Sequence, residues 1–422
     1  MTDPAPETTG KDVLEAVRAE RDGLLGFLER LVAVESPSSA PEAQAPIFDL
    51  LEESLDAIGY VTYRLDGELT GGHLVAAARG AAGIDIGRIA AAAPVDAAAA
   101  ATAPIQLLLG HCDTVWPLGT LRRMPVRIDD RSMHGPGVFD MKAGLAQTVY
   151  ALRALHRLGQ EPAVPPLLFV NSDEEIGSPE SRRHIESLAR CASRVFVMEP
   201  ALGLEGKLKT GRKGVGQFHV KVIGKAAHAG LDPEAGASAI LELSHQVQRL
   251  FALNDPALGV SVNVGIIGGG MRVNVVAPEG EAVVDVRVPD QRQAERISAA
   301  IHGLQPVTAG VRLEISGAVE RQPLERNARN QSLWRKAREL AAEMDIALEE
   351  GFAGGGSDGN LTSPLAATLD GLGGVGDGAH ADHEHIDVER SLERCALLAR
   401  LLMAEPMFIG GHPAAGPPSG RL

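Results

Sequence analysis

A chain of 422 residues exceeds what one hydrophobic core supports, so two domains are expected. With 45% hydrophobic and 23% charged residues it has a soluble protein's composition, and no apolar run approaches the roughly 20 residues that cross a bilayer. A net charge of -15 repels nucleic acid, and Cys112, Cys191 and Cys395 are too few and too scattered for a disulfide framework or a cysteine-built metal site.

The start, Met1 to Lys11, is polar and acidic and lacks the regions of a secretory signal, so a cytoplasmic location is expected. Apolar residues at helical spacing from Asp12 to Ser36 and from Ile47 to Ile58 predict two opening helices. Gly59 to Arg64 and His73 to Ala78 read as strands, and Ile105 to Leu109 as a buried central strand. The alanine- and glycine-rich stretch from Gly80 to Pro104 reads as a surface insertion. A helix at Ala143 to Leu158, a strand at Leu167 to Asn171, a helix at Ser181 to Ala189 and a strand at Val195 to Met198 give the alternation of an α/β sheet. From Gly216 to Gly317 the pattern becomes that of a compact α+β unit inserted into the first domain. Helices follow at Gln331 to Met344 and Val388 to Met403. The domain division is therefore 1–210 and 323–408 for the first domain, 211–322 for the insert, and 409–422 for a disordered tail.

The chemistry-bearing residues cluster at strand ends, where open α/β sheets place their ligands. His111 and Asp113 follow the first buried strand and, two apart on extended backbone, face the same side, so Asp113 is placed to hold one imidazole nitrogen of His111. A glycine-rich turn from Gly135 to Gly144 presents Asp140 before a helix. The second buried strand ends in three consecutive acids, Asp173, Glu174 and Glu175, which repel one another unless cations or solvent relieve them. Glu199 follows the third strand, and His380, Asp382, His383, Glu384 and His385 crowd a loop near the C-terminus. Histidines together with a shared carboxylate and two more suit paired zinc ions about 3.5 Å apart, whereas calcium takes more oxygens and no histidine.

These residues resemble the cocatalytic zinc peptidases and deacylases, the family of glutamate carboxypeptidase, aminoacylase, succinyl-diaminopimelate desuccinylase and acetylornithine deacetylase. The likeness is greatest to the glutamate (folate-cleaving) carboxypeptidase branch. It runs from about Leu28 to Leu402 and rests on Gly110 to Val115, Gly137 to Lys142, Ser172 to Glu175, Met198 to Pro200, Arg212 to Gly214, Ala226 to Gly230 and Gly354 to Asp358. The resemblance implies an α/β fold: a catalytic domain with a mixed central sheet flanked by helices, and an inserted α+β dimerisation or lid domain.

It also implies two Zn2+, replaceable by Co2+ or Mn2+, with His111 and Glu199 on one, Glu175 and His380 on the other, and Asp140 between them. Glu174 is then the general base and Asp113 orients His111. His380 is the chosen ligand of its loop, as it follows Gly378-Ala379 and precedes Glu384 by four residues. In a homodimer His228 would reach a partner's site and stabilise the oxyanion, while Arg287, Asn274 and the loop Gly355, Gly356 and Ser357 would receive the substrate. Arg287 has a second reading as half of a structural ion pair, and Cys112 reads as a passive core residue.

The expected substrate is a small molecule or short peptide with a free carboxylate, with neither nucleic acid nor membrane as partner. Release of a glutamate-type amino acid is expected. N-acyl amino acid deacylation uses the same machinery and is the alternative, and a catalytically silent zinc-binding dimeric scaffold is a remote third reading.

Overall fold

The computed structural model describes residues 8–81, 84 and 104–405. The expected insertion from Gly80 to Pro104 lies largely, and the expected tail at 409–422 wholly, outside the described residues.

A six-stranded mixed sheet forms the centre, in the spatial order Tyr60–Leu65, His73–Ala78, Pro166–Asn171, Ile105–His111, Ala192–Val197 and Ala367–Leu369. The last four strands are mutually parallel, and His73–Ala78 runs against its neighbours. Ile105–His111 and Pro166–Asn171 are buried along their whole length, as strands covered on both faces must be. Their side chains alternate: Leu108, Leu168 and Phe196 join a core with Ala143–Arg157 and Val388–Met403, while Leu107, Leu109, Phe169 and Val195 join a second core with Ile185 and Leu188. Each such leucine contributes about 1.5 to 3 kcal/mol by leaving water.

Because these strands are parallel neighbours, the residues that follow His111, Asn171 and Val197 emerge on one edge of the sheet. That edge carries the site.

A second sheet is antiparallel throughout, in the order Ser261–Gly269, Glu279–Val288, Gly214–Ile223 and Arg312–Arg321. Gly214–Ile223 alternates buried and exposed positions, so one face packs on Ala239–Phe251 and Gln291–His302. Side-chain caps by Ser238 and Asp290 begin those helices. The edge strand Ser261–Gly269 leaves Ile266 and Ile267 about 60% exposed.

The opening helix expected from Asp12 to Ser36 is two, Gly10–Ala19 and Arg21–Ala33. The break falls at Glu20, whose carboxylate pairs with Arg153 at 3.2 Å and with Arg157, drawing the chain onto Ala143–Arg157. The strands Leu208–Arg212 and Glu350–Ala353, unforeseen in the sequence, form a parallel pair beside the central sheet. No helix among the described residues is long and apolar enough to cross a membrane.

Candidate metal centre

Five side chains from separate segments meet at the sheet edge. The ligand atoms of His111, Asp140 and Glu199 lie within 4.8 Å of one another, as do those of Asp140, Glu175 and His380. Asp140 divides its oxygens: Oδ1 is 3.5 Å from His111 Nε2, and Oδ2 is 3.6 Å from His380 Nε2. Glu199 Oε1 closes the first group at 3.5 Å from His111 Nε2, and Glu175 Oε2 closes the second at 3.2 Å from His380 Nε2. His111 Nε2 and Glu175 Oε1 are buried without a hydrogen-bond partner, which suits atoms meant for cations. Nitrogen and oxygen donors in this proportion fit a pair of divalent ions.

The surroundings fix each donor. His111 Nδ1 is 3.0 Å from the Asp113 carbonyl oxygen and 3.3 Å from its carboxylate, which sets the tautomer that frees Nε2. The Asp113 carboxylate, fully buried, also accepts the amides of Glu174 and Glu175 at 3.2 Å and the hydroxyl of Ser38 at 2.7 Å. One buried aspartate therefore ties two strand ends together. Of the three consecutive acids, Asp173 is structural: its carboxylate accepts the amides of Glu180 and Ser181 at 2.8 and 3.0 Å.

Glu384, which marked only a spacing in the sequence, builds the Asp140 turn. Its carboxylate accepts the amides of Gly137 at 2.8 Å, Phe139 at 2.9 Å and Asp140 at 3.0 Å, and the Trp116 indole N–H at 2.8 Å. The loop that carries His380 thus also shapes the segment that carries Asp140. The only signal in the sequence was the pairing of an acid with a glycine-rich turn, and the acceptor role became visible only in three dimensions.

Arg212 is 3% exposed and spans the site. It donates to both carboxylate oxygens of Asp370 at 2.8 and 3.0 Å, to Glu199 Oε2 at 2.9 Å, and to the carbonyls of Gly355 and Gly356 at 3.2 and 3.1 Å. Arg321, at the end of the second sheet, donates to Glu174 Oε1 at 3.0 Å and to the Ser178 hydroxyl at 2.7 Å.

Burial would push His111 down, but the facing carboxylates of Asp113, Asp140 and Glu199 lift it well above its ordinary value. Burial would raise Glu199, yet the contact with His111 and the charge of Arg212 hold it below the carboxylate range. Burial raises Glu174 despite the neighbouring Arg321. The hydrogen bond to Glu175 lifts His380 to about 9. Cys112 is buried and free, and burial pushes its thiol up.

A cavity of about 580 Å³ opens over the cluster, lined by Glu174, Lys209, Arg212 and the loop from Gly354 to Gly356 among others. Gly355 and Gly356 face it. Ser357 does not: it is fully buried and its hydroxyl donates to Asp370 at 2.6 Å, so it anchors the loop from behind. Nor do His228, Asn274 or Arg287 line the cavity. His228 is exposed and its Nδ1 accepts the amides of Gly230 and Leu231 at 3.1 Å. Arg287 pairs with Asp285 at 3.0 Å. His383 lines the rim and lies 3.9 Å from Asp377, while the His385 ring stacks on His134 at 5.3 Å.

The sequence profile of Peptidase family M20/M25/M40 matches residues 107–404. The chain belongs to this family. As an M20-family protein it is a peptide-bond hydrolase of the metallopeptidase type, and its cluster of donors is suited to divalent metal. Carboxypeptidase G2 of Pseudomonas sp. (strain RS-16) is 28% identical over 401 residues, covering 93% of this chain and 91% of that protein. Among solved structures, aminopeptidase PepT from Bacillus cereus superposes with a TM-score of 0.68 at 19% identity, covering 91% of this chain and 98% of that one. The Bacillus subtilis YXEP protein, described as a dinuclear metal binding peptidase from the M20 family, gives a TM-score of 0.63 at 14% identity over 92% and 98% of the two chains. The two structural likenesses establish the shared M20 fold.

Proposed function

We propose that the chain is a dinuclear zinc carboxypeptidase that cleaves the amide bond next to a C-terminal free carboxylate and releases an amino acid of the glutamate type. The observation that carries this reading is Asp140 shared between two donor groups, with Glu174 beside them in the same cavity. Likeness to carboxypeptidase G2 over nearly the whole chain supports the carboxypeptidase part of this reading.

His111, Asp140 and Glu199 would hold one zinc and Asp140, Glu175 and His380 the other. Bound there, the ions polarise the scissile carbonyl and ease deprotonation of water. Glu174 takes the proton of the attacking water and passes it to the leaving nitrogen. Arg321 fixes the Glu174 carboxylate, and Asp113 fixes its backbone. The amides of Gly355 and Gly356 approach the substrate with no side chain in the way.

The separate sheet and core between Gly214 and Arg321 support the division into 1–210 with 323–408 and an insert at 211–322. Exposed Ile266, Ile267, Met271 and Val273 on one margin of the insert support a homodimer. In such a dimer His228 and Asn274, linked where the Ala229 amide donates to the Asn274 carbonyl at 3.0 Å, would complete a partner's site, while Arg287 stands toward the other end of the insert's sheet, in register with Val215.

The deciding experiment is hydrolysis of matched peptidyl and N-acyl amino acids ending in glutamate, aspartate, alanine, leucine or lysine, by zinc-loaded and chelator-stripped protein. Zinc-restored preference for acidic peptidyl substrates supports the proposal. Preference for simple acyl amino acids makes the protein a deacylase, and absence of metal-dependent turnover overturns both.

A further inference from the structure

The cavity lining holds two long cations with opposite circumstances. Both belong to the strand Leu208–Arg212, and Lys209 is fixed there by its amide, which donates to the Asp370 carbonyl at 2.8 Å. Arg212 has acceptors for each of its terminal nitrogens. The Lys209 ammonium has no hydrogen bond to any described residue, and its nearest carboxylate oxygen, Glu199 Oε2, is 4.0 Å away and already accepts from Arg212 at 2.9 Å. Yet Lys209 is only 7% exposed. A buried ammonium with three unused donors is unfavourable unless an anion joins it.

The geometry favours an anion delivered through the cavity. Lys209 shares that lining with Glu174, with the metal-site carboxylates and with the Gly354 to Gly356 loop. Gly354 and Gly355 in the same lining have open space where a side chain would stand, which leaves room for a ligand there. Glu199 Oε2 is held by Arg212 and not by Lys209, so the donors of Lys209 stay free for a bound anion. Its compact ammonium suits an ionised carboxylate and discriminates against a neutral group of the same shape.

We propose that Lys209 is the specificity-determining residue of this cavity and binds the side-chain carboxylate of a C-terminal glutamate or aspartate. The inference rests on the carboxypeptidase reading above and assigns its acidic preference to one side chain.

The test compares N-acyl-glutamate with N-acyl-glutamine carrying the same acyl group, on the zinc-loaded full chain, for wild type, Lys209→Met, Lys209→Gln and the control Lys207→Met. Lys207 pairs with Glu349 at 3.1 Å outside the cavity. Wild type and the control should prefer glutamate in kcat/KM by roughly tenfold or more. Either Lys209 variant should bring the ratio near one, chiefly by raising KM for glutamate. Calorimetry with free glutamate and glutamine should show the same loss of discrimination.

A wild-type ratio near one, with both substrates turned over, overturns the assignment and leaves the carboxypeptidase reading standing. Equal loss on both substrates through KM moves Lys209 to the α-carboxylate, and equal loss through kcat with reduced zinc content makes it ballast for Glu199; either result overturns the proposal. Should the wild type hydrolyse no amide, the carboxypeptidase reading fails, and calorimetry alone decides: binding of glutamate over glutamine that Lys209→Met abolishes sustains the subsite, and equal binding overturns it.

Discussion

The carboxylate of Glu384 accepts the backbone amide of Asp140 at 3.0 Å, so a residue four positions beyond His380 sets the position of the carboxylate that both donor groups share. Removing it as Glu384→Ala leaves the amides of Gly137, Phe139 and Asp140 without their acceptor. Metal affinity should fall by about 10- to 100-fold, the range for partners that orient ligands. Glu384→Gln, which keeps one acceptor oxygen, should lie between. Competition with a chromophoric chelator measures this, and unchanged affinity in the alanine variant would show that the turn holds itself.

Glu174→Ala should lower kcat by about a hundredfold to ten-thousandfold while the protein still binds metal in full. Turnover with metal content measured in the same sample tests the assigned base. Retained turnover would remove Glu174 from that role.

Arg212→Met deprives two buried carboxylates, Asp370 and Glu199, of their cation at once. Breaking a buried pair by removing one partner destabilises by about 3 to 5 kcal/mol. Urea denaturation of the metal-free protein should report a loss of that order, and Arg212→Lys should recover little because an ammonium cannot reach two carboxylates and two carbonyls together.

His73 is 2% exposed, packs on Phe169 at 5.6 Å, and is pushed by burial down to about 4. Its unfolded form titrates near 6.5, so between about 4 and 6.5 the unfolded chain binds more protons than the native one, and stability rises with pH. This contribution is fully present above that window. It is lost as pH falls, with a limiting slope of about 1.4 kcal/mol per pH unit. Thermal melts from pH 4 to 7 should show that slope in the wild type and a flatter one in His73→Phe.

Ile267→Lys places a charge on the exposed edge strand Ser261–Gly269. Edge strands are commonly protected from pairing in this way. Sedimentation equilibrium should show a dimeric wild type and a monomeric variant, and a wild type monomeric at micromolar concentration would remove the dimer from the proposal.

The parts of the site that were legible in the sequence are those announced by a buried apolar strand. Ile105 to Leu109 and Leu167 to Asn171 each end in residues too polar for a core, and His111, Glu174 and Glu175 could be read from that contrast. The strand Leu208–Arg212 was not legible, because Thr210 and Arg212 are polar residues buried by pairing with partners far along the chain, and Lys209 is buried beside them. Glu384 escaped for a related reason: what it holds is backbone amide, which looks the same in every sequence. The break at Glu20 depended on two arginines more than 100 residues away. Ser357 shows the opposite case, a residue placed by resemblance in a substrate loop that the fold turns inward to Asp370.

The two donor groups differ in their access to water. His111 is 1% exposed in its side chain, whereas His380, which stands at a positive φ of 61° on the cavity rim, is 52% exposed. An ion held through His380 is therefore open to ligand exchange from solvent, and one held through His111 is shielded by the sheet edge. Dialysis against a weak chelator should accordingly drain the centre in two kinetic phases, passing through a singly loaded form in which the inner ion persists.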